Sequence, residues 1–182
     1  MFGMSTLLIV AVIVVFYVIA VYNNLIAQKN QVKEAWATVD TQLKRRYDLI
    51  PNLVEVVRSA AKVEKETLTA VIDARNAAMN CAGPDSADAQ NKLTETLKTL
   101  FAVAESYPVL KSNQNFVELQ RELVDTENKI QATRQFYNTV VMRFNIRVEQ
   151  FPSNLVANMF NIKTAQLFNA TETEREVPQV KL

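Results

Sequence analysis

No charged side chain occurs before Lys29, and Leu7 to Val21 is an unbroken apolar run. A bilayer core about 30 Å thick takes roughly 20 residues of helix, and backbone amides in lipid can bond only one another. The run therefore predicts a single membrane-spanning helix over residues 4–22, behind a short tail at 1–3. A cleaved signal peptide ending near Val18-Ile19-Ala20 is the competing reading, but it lacks the positively charged region that precedes a signal core. No cysteine follows the run closely enough to carry a lipid, since Cys81 is the single cysteine.

Lys and Arg beside a span tend to stay on the cytoplasmic side. Only the terminal amine precedes this span, whereas Lys29, Lys33 and Lys44-Arg45-Arg46 come after it. The asymmetry predicts a single-pass protein of the inner (cytoplasmic) membrane, with its N-terminus outside and its long domain in the cytoplasm.

Beyond the span the chain has the composition of helix. Only 2 glycines occur in 182 residues, and glycine disfavours helix by about 1 kcal/mol per position. Pro51, Gly83-Pro84, Pro108, Pro152 and Pro178 divide the chain into pieces of helical length. Val32, Trp36, Val39, Leu43, Arg46 and Ile50 are spaced by three and four, so the first piece continues from the span to about Leu49 with one packed face. Pro51 then starts a second piece with Leu53, Val57, Ala60, Ala61, Leu68, Val71 and Ala78 on its stripe. Asp85 or Ser86 can cap a third, which buries Leu93, Leu97, Leu100, Phe101, Ala104 and Tyr107.

The last piece is the most regular. Phe116, Leu123, Ile130, Tyr137, Phe144 and Phe151 recur every seven residues, a spacing that keeps one column facing a neighbour. The companion column, Leu119, Thr126, Thr133, Val140 and Arg147, is polar in its middle, which favours a several-helix antiparallel bundle over a two-stranded coiled coil. The fold expected is all-α: one spanning helix continuing into a bundle of about four helices over residues 23–170, then a charged, disordered tail at 171–182.

Two polar groups invite sharper readings. Arg46, Thr126, Glu127 and Arg134 can meet as an internal polar layer; alternatively they flank the stripes and reach to water along their aliphatic stems. The basic Lys44-Arg45-Arg46 can bind lipid headgroups or an acidic partner, yet Asp40 and Asp48 stand four residues either side of Lys44, where intrahelical pairing is expected. A straight helix would also carry Lys44 about 30 Å past Tyr22. Tyr47 to Asn52 reads as a corner between helices, with Asp48 accepting from the next helix's free amides. Trp36 reads as a core anchor.

The absence of histidine removes the commonest general base and zinc ligand. No glycine-rich phosphate loop or Glu-x-x-His pattern is present, and a net charge of +1 gives no electrostatic case for nucleic acid. No catalytic, cofactor or metal residue is assigned.

Several stretches together resemble the LemA family of bacterial membrane-anchored proteins. They are Tyr22-Asn23-Asn24-Leu25-Ile26; Ala35 to Val54, which holds Trp36, Asp40, Lys44, Arg45, Arg46, Asp48, Pro51 and Asn52; Ala104-Glu105-Ser106-Tyr107-Pro108 with Leu110 to Phe116; Glu122-Leu123 through Thr126 to Ile130; Arg134 to Asn138; and Phe151 to Leu155. Thr41 after Asp40 and the short tail after Phe168 are small departures. The resemblance implies a short outer tail, one span and a cytoplasmic helical bundle, and brings no established enzymatic activity, cofactor or catalytic residue. It also hints at company with membrane proteases or other envelope proteins. Three readings are open: a scaffold or adaptor that self-assembles and recruits an unidentified membrane or envelope protein, a small-molecule or stress sensor signalling through the helical stalk, and an oligomeric pore. The uniformly apolar span disfavours the last.

Overall fold

The computed structural model describes residues 2–81 and 83–168, so the tail expected at 171–182 lies outside the described residues. Among these residues the chain is helical and has no strand. The elements are α1 (Phe2–Ala60), α2 (Lys65–Asn80), a 3-10 turn at Pro84–Ser86, α3 (Ala87–Ala104), α4 (Pro108–Lys111), α5 (Gln114–Glu149) and α6 (Ser153–Met159). The all-α expectation holds. Phe2 and Gly3, in the segment expected as a short tail ahead of the span, are helical and continuous with α1.

The chain divides into two compact units, and α1 and α5 each contribute to both. Among the described residues the first comprises 2–37 and 136–167. In it Leu25, Val32 and Ala35 of α1 are buried, as are Tyr137, Val141, Phe144 and Val148 of α5 and Val156 and Ala157 of α6. The Trp36 ring meets the edge of Tyr137 with centroids 5.3 Å apart, so the tryptophan sits half-buried against α5. After α6 an extended strap runs along α5. Asn145 clasps it at Ala165 with two bonds, its amide donating to the carbonyl and its Oδ1 accepting from the N–H, both at 2.8 Å. The Tyr137 hydroxyl donates to the Gln166 carbonyl at 2.8 Å, and burial raises this phenol's pKa above the ordinary value of 10.0.

From Leu7 to Ile19 the same unit presents the opposite pattern. Apart from the half-buried Val18, every large apolar side chain there is exposed. An apolar stretch of this length with no protein around it has the form of a membrane span.

Among the described residues the second unit comprises 38–81, 83–135 and Phe168. Its core draws Ile50, Leu53 and Val57 from α1, Leu68 and Val71 from α2, Leu93, Leu97 and Leu100 from α3, and Phe116 and Leu123 from α5. These are the positions the three-and-four spacing selects. Phe151, the last of the seven-residue column, is instead 73% exposed, because α5 ends at Glu149 and a turn carries it away. Ser86 stands at the N-terminal boundary of α3 but makes no side-chain cap; its hydroxyl donates to the Gly83 carbonyl at 2.8 Å. Gly83 there has a φ of 80°, a region open to glycine at little cost.

One corner differs from expectation. The helix runs through Pro51 to Ala60, and the chain turns at residues 61–64, ten residues beyond the proline. A proline inside a helix leaves the carbonyl four residues earlier without its donor, here that of Tyr47. Arg75 of α2 fills the vacancy, with Nε donating to the Tyr47 carbonyl at 2.8 Å. The cost that ends most helices at proline is thereby offset by a side chain 28 positions away.

Candidate functional site

Polar side chains from three helices, α1, α3 and α5, converge inside the second unit, where a backbone carbonyl of α2 joins them. Arg46 lies on the buried stripe of α1 and is fully enclosed, as is Gln90 of α3. A buried guanidinium is costly unless hydrogen-bonded and charge-paired. Both conditions are met. Arg46 Nη1 lies 2.6 Å from Glu127 Oε2 on α5 and donates to Thr94 Oγ1 on α3 at 3.1 Å. Nη2 donates to Gln90 Oε1. Nε is buried and has no acceptor among the described residues.

From Gln90 the hydrogen bonds continue in one direction. Gln90 Nε2 donates to the Tyr47 hydroxyl, and that hydroxyl donates to the Ala78 carbonyl at 3.2 Å. Ala78 stands in the last turn of α2, where carbonyls lack helical partners. The chain Arg46, Gln90, Tyr47, Ala78 thus joins α1 and α3 and closes the C-terminal end of α2. The Thr94 hydroxyl has one proton to give, with Glu127 Oε1 at 3.3 Å and the Gln90 carbonyl at 3.1 Å within reach.

The residues singled out from the sequence divide into three groups. Arg46 and Glu127 are in contact. Thr126 is buried, but its hydroxyl bonds the Glu122 carbonyl of its own helix at 2.7 Å, a satisfied local bond outside the network. Arg134 lies seven residues beyond Glu127, about 10 Å along the helix, and its guanidinium stands 4.3 Å from the Phe168 ring centroid. The internal layer is therefore Arg46 and Glu127 with Gln90, Thr94 and Tyr47, without Thr126 or Arg134. Gln90 and Thr94 had one sequence signal: Gln90 extends the Leu93, Leu97, Leu100, Ala104 stripe by one turn, a polar side chain at a core position.

The remaining signature residues of α1 are exposed. Asp40, Lys44, Asp48, Pro51 and Asn52 all face outward, and among the described residues no ion pair joins Lys44 to Asp40 or Asp48. At full exposure such pairs return too little energy to hold two long side chains together. Asp48 is mid-helix and caps nothing, because the corner lies further on. Arg45 reaches Glu122 only at 3.9 Å. On α5, Lys129 bonds Asp125 at 2.7 Å, and that bond, opposed in part by desolvation, holds the aspartate below the usual carboxylate range.

A cleft of about 250 Å³ opens beside the network, with Thr94 and Glu127 at its edge and Leu97, Phe101, Leu123 and Val124 along its walls. Among the described residues no three His, Cys, Asp or Glu side chains gather as a metal site. The one carboxylate of the network is engaged by a guanidinium.

Comparison with known proteins fits this architecture. Residues 35–182 match the LemA family. Protein LemA of Metamycoplasma hominis is 24% identical over 165 residues, spanning 88% of this chain and 75% of that protein. Magnetosome protein MamQ 2 of Paramagnetospirillum magneticum is 22% identical over 189 residues, with 87% of this chain and 70% of the relative covered. Magnetosome protein MamQ of Magnetospirillum gryphiswaldense is 21% identical with the same coverage.

Proposed function

The chain belongs to the LemA family, and from that premise we infer that it is a non-enzymatic, single-span scaffold of the bacterial inner membrane that recruits or organises other membrane proteins. The observation carrying this reading is that α1 passes without a break from an exposed apolar run into a packed stripe that begins at Leu25. A helix shared in this way ties the packed domain to the bilayer, so the surfaces of that domain stay where membrane proteins are. The relatives' names denote a magnetosome protein or the family itself, and none denotes an enzyme.

In this reading the N-terminus is outside and the packed domain is cytoplasmic, because the basic residues all lie after the span. A compartment-sensitive reporter fused after Leu182 is expected to be active only in the cytoplasm. Replacing Lys29 and Lys33 by glutamate should move a measurable fraction to the opposite side. A reporter active only on the external face would overturn the orientation.

The apolar cleft beside Glu127 favours a second reading, a small-molecule sensor in which ligand binding shifts the helices that meet at Arg46. Its mark would be a ligand-dependent rise in melting temperature that substitution of Leu97 or Phe101 abolishes.

A further inference from the structure

The first unit carries a second apolar surface, beside the end of the span. The faces of α6 differ. Ser153, Val156 and Ala157 are buried against the unit, whereas Leu155 and Met159 are 60% and 64% exposed; Phe151 and Phe160, at the two ends of the helix, are 73% and 48% exposed. Four large apolar side chains within ten residues form a patch that soluble surfaces rarely carry without a partner. The stretch Gln150 to Ile162 also holds no charged residue.

The position of α6 along α1 identifies the partner. The Phe160 ring lies 4.6 Å from the ring of Tyr22, the residue immediately after the apolar run. Phe151, Pro152 and Ser153 share a hollow with Tyr17, Val21 and Asn24. Within this unit, α6 is therefore level with the last turns of the apolar run, where interfacial tyrosines collect. A charge pattern continues from there. Arg143 and Arg147, one turn apart on α5, line an adjoining hollow of about 480 Å³ with Asn24, Gln28 and Gln31, and no carboxylate lines either hollow.

We infer that α6 and the turn before it lie in the bilayer interface as a second, non-spanning membrane contact, with Arg143 and Arg147 meeting lipid phosphates. This rests on the reading of α1 as a span. Helices with one packed face and one apolar face, basic residues beside them, bind lipid in this manner. Arginine suits phosphate because its planar donors engage two oxygens at once. The contact gives the unit a second point of attachment to the membrane surface.

The test uses the full chain with Cys81→Ser, carrying a single fluorescent label at Val15→Cys, Lys33→Cys, Leu155→Cys or Met159→Cys. Each protein is reconstituted in vesicles of phosphatidylcholine and phosphatidylglycerol. Acyl-chain nitroxide lipids should quench Leu155 and Met159 to within about twofold of Val15, as expected of side chains in the interface, while aqueous iodide quenches Lys33. In the Leu155→Cys protein, adding Arg143→Gln and Arg147→Gln should reduce lipid quenching. If Val15 is quenched by lipid but Leu155 and Met159 by iodide, the interfacial contact is wrong and the span stands. Shielding of Leu155 from both quenchers means that protein covers the patch, and also overturns the inference. Quenching of Val15 by iodide overturns the span itself.

Discussion

Replacing Arg46 by alanine is expected to destabilise the helical unit around it by about 3–5 kcal/mol, the range for breaking a buried ion pair by removing one partner. The loss exceeds that of one salt bridge because Glu127, Gln90 and Thr94 all lose a donor together. The effect should fall toward the lower end, since the Glu127 side chain is 21% exposed and can recover water. In thermal melting tracked by far-UV circular dichroism, a unit of this size shifts by roughly 4–8 °C for each kcal/mol. Arg46→Glu should be worse, placing two carboxylates together. Combining Arg46→Glu with Glu127→Arg should return part of the loss, because the Gln90 amide and the Thr94 hydroxyl can each donate or accept. Absence of any recovery would show that the pair does not act as a pair.

The second large effect concerns the proline that fails to end a helix. Arg75→Met removes the donor to the Tyr47 carbonyl, and a part-buried acceptor left unmade costs about 1–3 kcal/mol. Pro51→Ala restores a backbone N–H four residues after Tyr47, so in that background Arg75→Met should cost little. The expected double-mutant coupling is on the order of 1 kcal/mol or more. Strict additivity in chemical denaturation would mean that Arg75 acts elsewhere, by packing or surface charge, and that the helix tolerates Pro51 for another reason.

Both predictions depend on features that differ in how far local sequence reveals them. The buried stripes were legible because helical period and apolar character coincide, as at Leu43, Ile50, Leu53 and Val57. Arg46 was legible as an anomaly on such a stripe, and Glu127 as its complement on α5. The turn at residues 61–64 was not: Ala61-Lys62-Val63-Glu64 contains no breaker, while the breaker that does occur, Pro51, is neutralised from α2. A local rule fails there because the compensating donor is distant in sequence.

The candidate site shows the same limit. Thr126 and Arg134 share a helix with Glu127 and look equally available, yet Thr126 spends its hydroxyl within its own helix and Arg134 stacks on Phe168. The strap after α6 left no periodic signal, since the hydrogen bonds that hold it come from single side chains, Asn145 and Tyr137. The exposed patch of α6 was hidden for a different reason. Phe151 reads as a core residue by its place in the seven-residue column, and only the fold turns it outward.

The scaffold reading requires that the packed helices meet defined neighbours in the membrane. Photo-crosslinking from exposed positions of α1, such as Asp40, Lys44 and Asp48, in native membranes, with the products identified by mass spectrometry, tests it most directly. The same few membrane proteins, or a second copy of this chain, are expected to crosslink repeatedly through the same residues and to be lost when Arg46→Ala unfolds the unit. Crosslinks that merely track protein abundance, unchanged by that substitution, would contradict it.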